Sequence, residues 1–209
     1  MEYKMEASEI SCLTPVVSQT RQQEQTQEVK LAEGMPDVGR ILGCWGQPLI
    51  RGKDWRSDSI GFNGGVMAWV LYAPEDGTNP RSVNCWIPFQ TRFDIPDTQS
   101  DGTIIAGARI CSMDARISSA RRIMVRCGLR LDVNAAVKSR QSVYTAEYLP
   151  AHIQLRQETY PLQLSVEGGE REITLDEQIH LPGNYPKPET VIRFSLQPRI
   201  SETNSWETV

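Results

Sequence analysis

Hydrophobic and polar residues alternate along most of this chain with a period of two, which predicts β-strands. The longest alternation runs from Ile123 to Val133, where every second residue is apolar and most residues between are polar. This pattern is typical of a strand with one buried face. Residues 66–72 are apolar at both parities and follow Gly64 and Gly65, which predicts a central strand with a bulge or bend at its start.

Turn residues separate several further alternating runs. Pro74 to Gly77 predicts the turn of a hairpin, and the following strand is expected around residues 83–87. The remaining predicted strands cover residues 104–111, 153–155, 162–166, 173–181 and 191–196. Because proline and glycine fall mostly between the runs, we expect the strands to be short.

Helical patterns are scarce in this sequence. Residues 112–120 could form a single helical turn, and residues 132–141 give a weaker helical signal. The predicted fold class is therefore all-β, an antiparallel β-sandwich or open-barrel module with at most one short helix. Residues 19–28 are polar and rich in glutamine, which is consistent with either a linker or a solvated edge strand.

The chain also resembles itself at an offset of 150 residues. The residues identical at that offset are Leu31, Pro36, Gln47, Pro48 and Ile50, which recur as Leu181, Pro186, Gln197, Pro198 and Ile200. We therefore predict an N-terminal segment (1–27), one β module (28–140), and linking strands followed by the opening of a second, incomplete module (141–209). Chance similarity between strand patterns is the alternative explanation.

Composition and charge exclude some classes of protein. The chain has 209 residues, 39% of them hydrophobic, and no apolar run approaches the roughly 18 residues of a membrane span. Lysine and arginine number 22 against 26 acidic residues, and this net charge of −4 argues against a nucleic-acid-binding protein. Since the N-terminus shows no basic and apolar leader, we expect cytoplasmic synthesis without a signal peptide.

Cysteine and histidine patterns indicate no metal site. The five cysteines are an odd number without a C-x-x-C pair, and the two histidines form no ligand motif. We expect the cysteines to be buried thiols in a reducing compartment. Since the sequence also lacks a nucleophile elbow, a phosphate-binding loop and a dinucleotide fingerprint, we expect neither a cofactor nor an enzymatic activity.

An arginine-rich run is the main candidate for an interaction surface. Two of its arginines precede the long predicted strand and three lie on that strand's outward parity: Arg116, Arg121, Arg122, Arg126 and Arg130. These side chains could bind polyanions, or pair with acidic residues of a neighbouring strand or subunit. The acidic net charge favours pairing.

Tryptophan residues supply the second candidate surface. Trp69 lies within the apolar run and is predicted to belong to the core. Trp55 lies between Asp54 and Arg56, so we expect it to be exposed. An exposed tryptophan is either a packing lid over a loop or an anchor for a glycan or a partner protein.

Four sequence elements follow one another between residues 28 and 137. They are L-x-x-x-x-P-D-V-x-x-I-L from Leu31, G-x-V-x-x-x-V-L-Y from Gly64, I-P-F from Ile87, and D-x-R-x-x-S-A-R-R-I-M-V from Asp114. Their order resembles the SPOCS domain of spore-coat and spore-cortex morphogenetic proteins in endospore-forming bacteria. The resemblance implies a β-rich, non-enzymatic assembly module in the spore envelope or coat, with no catalytic residues.

The functional expectation combines the pattern with this resemblance. We expect a structural protein that binds protein partners or itself through exposed strand edges and the arginine-bearing face. The alternative is a carbohydrate-binding module, for peptidoglycan, that uses Trp55 or Trp45 on a sheet face. Because the second copy stops near Val209, we expect either a fragment of a longer protein or trailing strands that add to another module's sheet.

Overall fold

Six long strands contain most of the residues that the structure describes. The computed structural model describes residues 4–96 and 102–148, together with residues 158, 165, 168–169 and 173–187. The strands are β1 (Lys4–Lys30), β2 (Val38–Trp55), β3 (Ser59–Pro74), β4 (Arg81–Asp94), β5 (Thr103–Ser119) and β6 (Arg122–Tyr148). The described residues contain no helix, so the all-β prediction is confirmed. The expectation of short strands is wrong, since each has 14 to 27 residues.

The strands form two antiparallel three-stranded sheets. The first has the order β1-β6-β5 and the second β2-β3-β4. One hydrophobic core joins the inner faces, so the architecture is a sandwich with β6 and β3 as the central strands. The predicted alternation of β6 is confirmed, because its inward residues are at most 1% exposed: Ile123, Val125, Cys127, Leu129, Leu131 and Val133.

The two predicted helical segments are strands. Residues 112–119 belong to β5, where Met113 pairs with Cys127 and Ala115 pairs with Val125 across the ladder. Residues 132–141 belong to β6 and pair with β1. Small and polar residues carry only weak local preferences, and the backbone hydrogen bonds of the neighbouring strands override them.

Gly64 and Gly65 in β3 allow neighbouring atoms to lie close to the backbone, and they do not form a bulge. The ladder between β3 and β4 runs without a register shift, and the irregularity lies in β2 between Ile50 and Gly52. A Cβ atom on Gly64 would collide with the carbonyl oxygen of Leu49, and one on Gly65 would collide with the Trp86 ring. The central-strand prediction is confirmed, whereas the bulge in β3 is wrong.

The predicted hairpin turn between β3 and β4 is confirmed. Gly77 adopts a positive φ of 73°, and its amide donates a hydrogen bond to the carbonyl of Pro74 at 3.3 Å. Asp76 accepts hydrogen bonds from the backbone amide and the hydroxyl of Thr78, and these bonds lower the pKa of its carboxyl group. The turn therefore has the side-chain capping expected of an aspartate in a tight turn.

The glutamine-rich segment is an edge strand. Strand β1 pairs with β6 from Lys4 to Lys30, so residues 19–28 are part of the sheet and not a linker. The boundaries placed at residues 28 and 140 fall inside β1 and β6 respectively. Beyond Ala136, β6 no longer pairs with β5, and β1 and β6 continue together as a ribbon.

The C-terminal third is described only in part. The predicted strands at 153–155 and 191–196 lie outside the described residues, as does most of 162–166. Residues 173–181 are described and form no strand, so that prediction is wrong. The described part of the chain has no helix long and apolar enough to cross a membrane.

The chain divides into two compact units, Met1–Ile173 and Thr174–Val209. Within the second unit the amide of Tyr185 donates to the carbonyl of Pro182 at 3.0 Å. Within the first, the amide of Met35 donates to the carbonyl of Ala32 at 3.2 Å. These two turns lie 150 residues apart, at the offset of the sequence repeat. The second module itself stays a prediction.

Candidate functional site

The arginine-bearing face of the β1-β6-β5 sheet is charge-balanced. Arg122 lies 2.7 Å from Glu28, and Arg126 lies 2.5 Å from Glu24, both carboxylates being on the adjacent strand β1. Arg130 lies 3.1 Å from Asp132, and Arg116 lies 2.8 Å from Asp114. Pairing with a neighbouring strand is therefore seen for Arg122 and Arg126, whereas Arg116 and Arg130 pair with carboxylates of their own strands. Exposed pairs of this kind contribute only about 0.2–1 kcal/mol each.

Asp132 is the acidic centre of this face. The hydroxyl of Thr20 donates to its Oδ1 at 2.6 Å, and the guanidinium of Arg130 donates to the same oxygen. These hydrogen bonds, assisted by the charges of Arg130 and Arg109, hold the pKa of the carboxyl group below its usual range. The arrangement ties β1, β5 and β6 together across their outer surface.

Arg121 has a different role from the other four arginines. Its Nη1 donates to the carbonyl of Met35 at 3.0 Å and to Asp37 Oδ1 at 2.9 Å, while Nη2 donates to the carbonyl of Ala32 at 2.9 Å. The amide of Leu31 donates in turn to the carbonyl of Arg121. We call this set of contacts the arginine clasp. It fixes the β1–β2 connection to the β5–β6 turn, so Arg121 is a structural residue.

Tyr72 supports the same connection from inside the core. The side chain is fully buried, and its hydroxyl donates to the carbonyl of Pro36 at 3.1 Å. Burial raises the pKa of this phenol. The β1–β2 connection is thus bound by Arg121 on its solvent side and by Tyr72 on its core side.

Trp55 is not an exposed anchor. It is half-buried and packs against the core at the start of β5, where a Cβ atom on Gly102 would lie 2.7 Å from its Cη2 atom. Its neighbours Asp54 and Arg56 form an exposed ion pair at 2.7 Å, which explains why the sequence suggested exposure. Trp55 closes one end of the sandwich.

Three other tryptophans share the outer face of the β2-β3-β4 sheet. Trp45 pairs with Trp69 across β2 and β3, and Met67 pairs with Trp86 across β3 and β4. Val66, Ala68 and Val70 occupy the inward parity of β3, so Trp69 points outward and is only half-buried. The prediction that Trp69 belongs to the core is wrong. We call Trp45, Trp69 and Trp86 the tryptophan face.

A polar groove of about 520 Å³ lies beside Trp86. Residues from four strands line it, chiefly Gln23, Gln25, Arg51, Asn63, Trp86 and Gln90. The guanidinium of Arg51 lies 4.1 Å from the centre of the Trp86 ring, a cation–π geometry. We call this site the amide groove. The sequence analysis missed it because its residues come from four separate strands.

A second, more apolar pocket of about 350 Å³ lies on the outer face of the other sheet. Leu13, Ile105 and Ala136 form its floor, and Gly168 lies against Leu13 and Ile105. The amide of Leu13 donates to the carbonyl of Ser165 at 2.7 Å. A later segment of the same unit therefore hydrogen-bonds to the free edge of β1.

Burial lowers the reactivity of at least two of the five cysteines. All five are free thiols, and burial raises the pKa of Cys44 and of Cys127 to about 11. Thiols with raised pKa values are poor nucleophiles and poor metal ligands at neutral pH. Among the described residues, no group of three or more histidine, cysteine, aspartate or glutamate side chains is placed to hold a metal ion.

Comparison with family models, curated proteins and solved structures finds no match for this chain. The resemblance to the SPOCS domain therefore stays a prediction from its four sequence elements.

Proposed function

We propose that this chain is a non-enzymatic structural protein that self-associates through an exposed edge of β6. The proposal agrees with the resemblance to SPOCS modules, and through that resemblance we place the protein in the spore envelope of a sporulating bacterium. The observation that carries it is the ribbon formed by residues 4–14 of β1 and 137–148 of β6. The proposal needs no ligand, cofactor or catalytic group.

Within the described residues, the ribbon leaves one edge of β6 without a strand partner. Strand β5 pairs with β6 only as far as Ala136, and from residue 137 onward the described residues provide a partner only on the β1 side. Two-stranded ribbons are marginally stable in water, and a free strand edge presents a row of backbone donors and acceptors. Addition of a third strand therefore stabilises this part of the fold.

Exposed apolar side chains lie on both faces of the ribbon, with Ile10 and Val143 on one face and Tyr144 on the other. Ile10 is 41% exposed, Val143 is 42% exposed and Tyr144 is 63% exposed. The edge carries neither a proline nor a register shift between residues 137 and 146. Its two cations are Lys138 and Arg140, and Arg140 is paired with Glu9 at 3.5 Å.

A second copy of the chain is the partner that fits this edge. Antiparallel pairing of β6 with β6 places identical surfaces against each other around a twofold axis, which gives a closed dimer. On the outer edge of β1, the Leu13 amide already donates a hydrogen bond to the carbonyl of Ser165 of the same chain, whereas the described residues provide no such partner on the β6 edge. We therefore place the contact between copies on β6.

Sedimentation velocity over a range of concentrations tests the proposal. The native chain should associate at roughly 100 µM, and a variant with Val143→Lys and Tyr144→Lys should remain monomeric, because edge lysines oppose strand pairing. Ile117→Lys is the matched control, since Ile117 is also 42% exposed but lies near the opposite end of β5. A native chain that is monomeric throughout, or a control that dissociates equally, would contradict the proposal.

A further inference from the structure

We propose that the amide groove, together with the tryptophan face beside it, binds a neutral oligosaccharide. The groove brings four carboxamide side chains, one guanidinium and one indole ring to a single surface. The inference does not depend on self-association, because the ribbon edge and the groove involve different residues.

The inward parity of β1 is unusually polar where it lines the groove. Gln23 and Gln25 pair across the ladder with Leu129 and Cys127, which are buried core residues, so both glutamines lie on the inward face. The same face of β1 is apolar at Val17 and Val29. A sandwich normally places hydrophobic residues at such positions, and buried amides are destabilising unless they are hydrogen-bonded.

Gln23 shows the consequence of this polar lining. Its Oε1 atom is buried, and within the described residues no donor reaches it. The terminal torsion of a glutamine is soft, so a modest rotation turns this oxygen toward the groove. A hydroxyl group bound there would supply the missing hydrogen bond. The amide oxygen of Gln23 can therefore accept a hydrogen bond from a ligand that carries many hydrogen-bond donors.

Arg21 is another polar residue on the inward face of β1, and its side chain has partners within the protein. Its guanidinium donates to Thr91 Oγ1 and lies 4.8 Å from the centre of the Phe93 ring. Gln23, two residues along the same face, has no such partner for its oxygen among the described residues. The contrast indicates that Gln23 is not simply a packing residue.

Trp86 forms a rigid floor next to these amides. One face of the ring lies against the backbone of Gly65, since a Cβ atom there would overlap the indole. Arg51 lies over the ring at 4.1 Å, so its planar fork of donors is held in place before any ligand arrives. Preorganisation of this kind favours weak polar ligands, because little side-chain entropy is lost on binding.

The chemistry of the lining selects the ligand class. Carboxamides both donate and accept hydrogen bonds, which matches the hydroxyl groups of a sugar. The chief lining residues include no carboxylate and only one cation, so the groove suits neither a metal ion nor a polyanion. A volume of about 520 Å³ falls within the usual range of small-molecule sites.

The tryptophan face extends the site beyond the groove. Trp86 pairs with Met67 on β3, and Trp69 is the next outward residue of that strand, opposite Trp45 on β2. Directly paired residues lie about 5 Å apart and diagonal ones about 7–8 Å apart. The ring of Trp86 is itself covered by Gly65 and Arg51. A sugar chain that leaves the groove past Trp86 therefore meets the indole rings of Trp69 and Trp45, whose apolar faces suit the apolar faces of sugar rings.

Isothermal titration calorimetry with a panel of tetrasaccharides tests the groove. The panel comprises β-1,4-linked glucose, N-acetylglucosamine and xylose oligomers and α-1,4-linked glucose. We expect saturable binding of at least one member, weakened about tenfold or more in Arg51→Ala and in Gln23→Leu. Arg40→Ala and Gln22→Leu are matched controls, because both residues are exposed on the same two strands and lie outside the groove.

The tryptophan face has its own readout. Trp69→Ala should weaken hexasaccharide binding by about tenfold and leave disaccharide binding unchanged, since only the longer ligand reaches beyond Trp86. Circular dichroism checks that each variant is folded. No saturable binding to any panel member at about 10 mM, or equal affinity in Arg51→Ala and Arg40→Ala, would overturn the inference. The lysine variant of the ribbon should retain native affinity.

Discussion

Replacement of Arg121 by alanine is the sharpest test of how the two sheets are joined. Arg121 lies in the β5–β6 turn, yet all its side-chain bonds reach the β1–β2 connection. Alanine removes three hydrogen bonds from one charged group and leaves the carbonyls of Ala32 and Met35 without this donor. The backbone hydrogen bonds from Leu31 to the carbonyl of Arg121 and from Val38 to the carbonyl of Ala120 remain, so the loss is confined to the side-chain bonds of the clasp.

The expected change in the free energy of unfolding follows from how exposed Arg121 and Asp37 are. Hydrogen bonds to charged groups contribute roughly 1.5–3 kcal/mol when buried, and exposed ion pairs only about 0.2–1 kcal/mol. The side chains of Arg121 and Asp37 are 40% and 44% exposed, so the clasp lies between these limits. We expect Arg121→Ala to lower the free energy of unfolding by about 2 kcal/mol. With a urea m-value of about 2 kcal/mol/M, the midpoint should fall by about 1 M.

Urea unfolding followed by tryptophan fluorescence measures this effect. Arg116→Ala is the matched control, because the Arg116 side chain is 78% exposed and, among the described residues, its ion pair is with Asp114 of its own strand. The urea midpoint of this variant should change by less than about 0.3 M. Arg121→Lys should fall between the two, since lysine keeps the charge but loses the planar fork. If Arg121→Ala and Arg116→Ala shift the midpoint equally, the reasoning about the clasp is refuted.

Three further predictions concern the core and its thiols. Burial raises the pKa of the Cys127 thiol from 9.0 to about 11, so the folded state holds this proton more tightly than the unfolded state does. The contribution of this thiol to the free energy of unfolding should be fully present below pH 9 and should be lost as the pH rises toward 11. The urea midpoint should decline over that range, and less steeply in Cys127→Ala; equal slopes would contradict this. Cys111 is exposed and should react with a thiol reagent in the folded protein, whereas Cys127 should react only after unfolding; labelling followed by mass spectrometry decides. Gly65→Ala should lower the free energy of unfolding by about 1–3 kcal/mol because its methyl group would overlap Trp86, whereas Gly107→Ala, with its nearest neighbour 3.8 Å away, should not; equal melting temperatures would argue against the overlap.

The inward residues of β6 and the hairpin turn after β3 were predictable, because local sequence carries both signals. Period-two alternation determines which side chains share a face, and Pro74 to Gly77 matches the backbone requirements of a tight turn. Residues 112–119 were not predictable, since their local preferences are weak. Their conformation depends on pairing with β6, and no local sequence pattern specifies this pairing.

The amide groove and the tryptophan face could not be found from the sequence. Trp69 lies in a run that is apolar at both parities, so the pattern alone does not say which face is buried. The other sheet covers Val66, Ala68 and Val70 and thereby leaves Trp69 outside. Gln23 and Arg51 become neighbours of Trp86 only after four strands are packed together.

The sequence by itself determined the all-β class, the parity of the longest strand and the acidic surplus that favours pairing of the arginines. These properties depend on residue spacing and charge, which are local or additive. Only the tertiary structure decided which parity of β3 faces solvent, which arginine became the clasp and where polar side chains converge. Those outcomes depend on the register and packing of strands far apart in the chain, and a one-dimensional pattern contains no information about which surfaces meet.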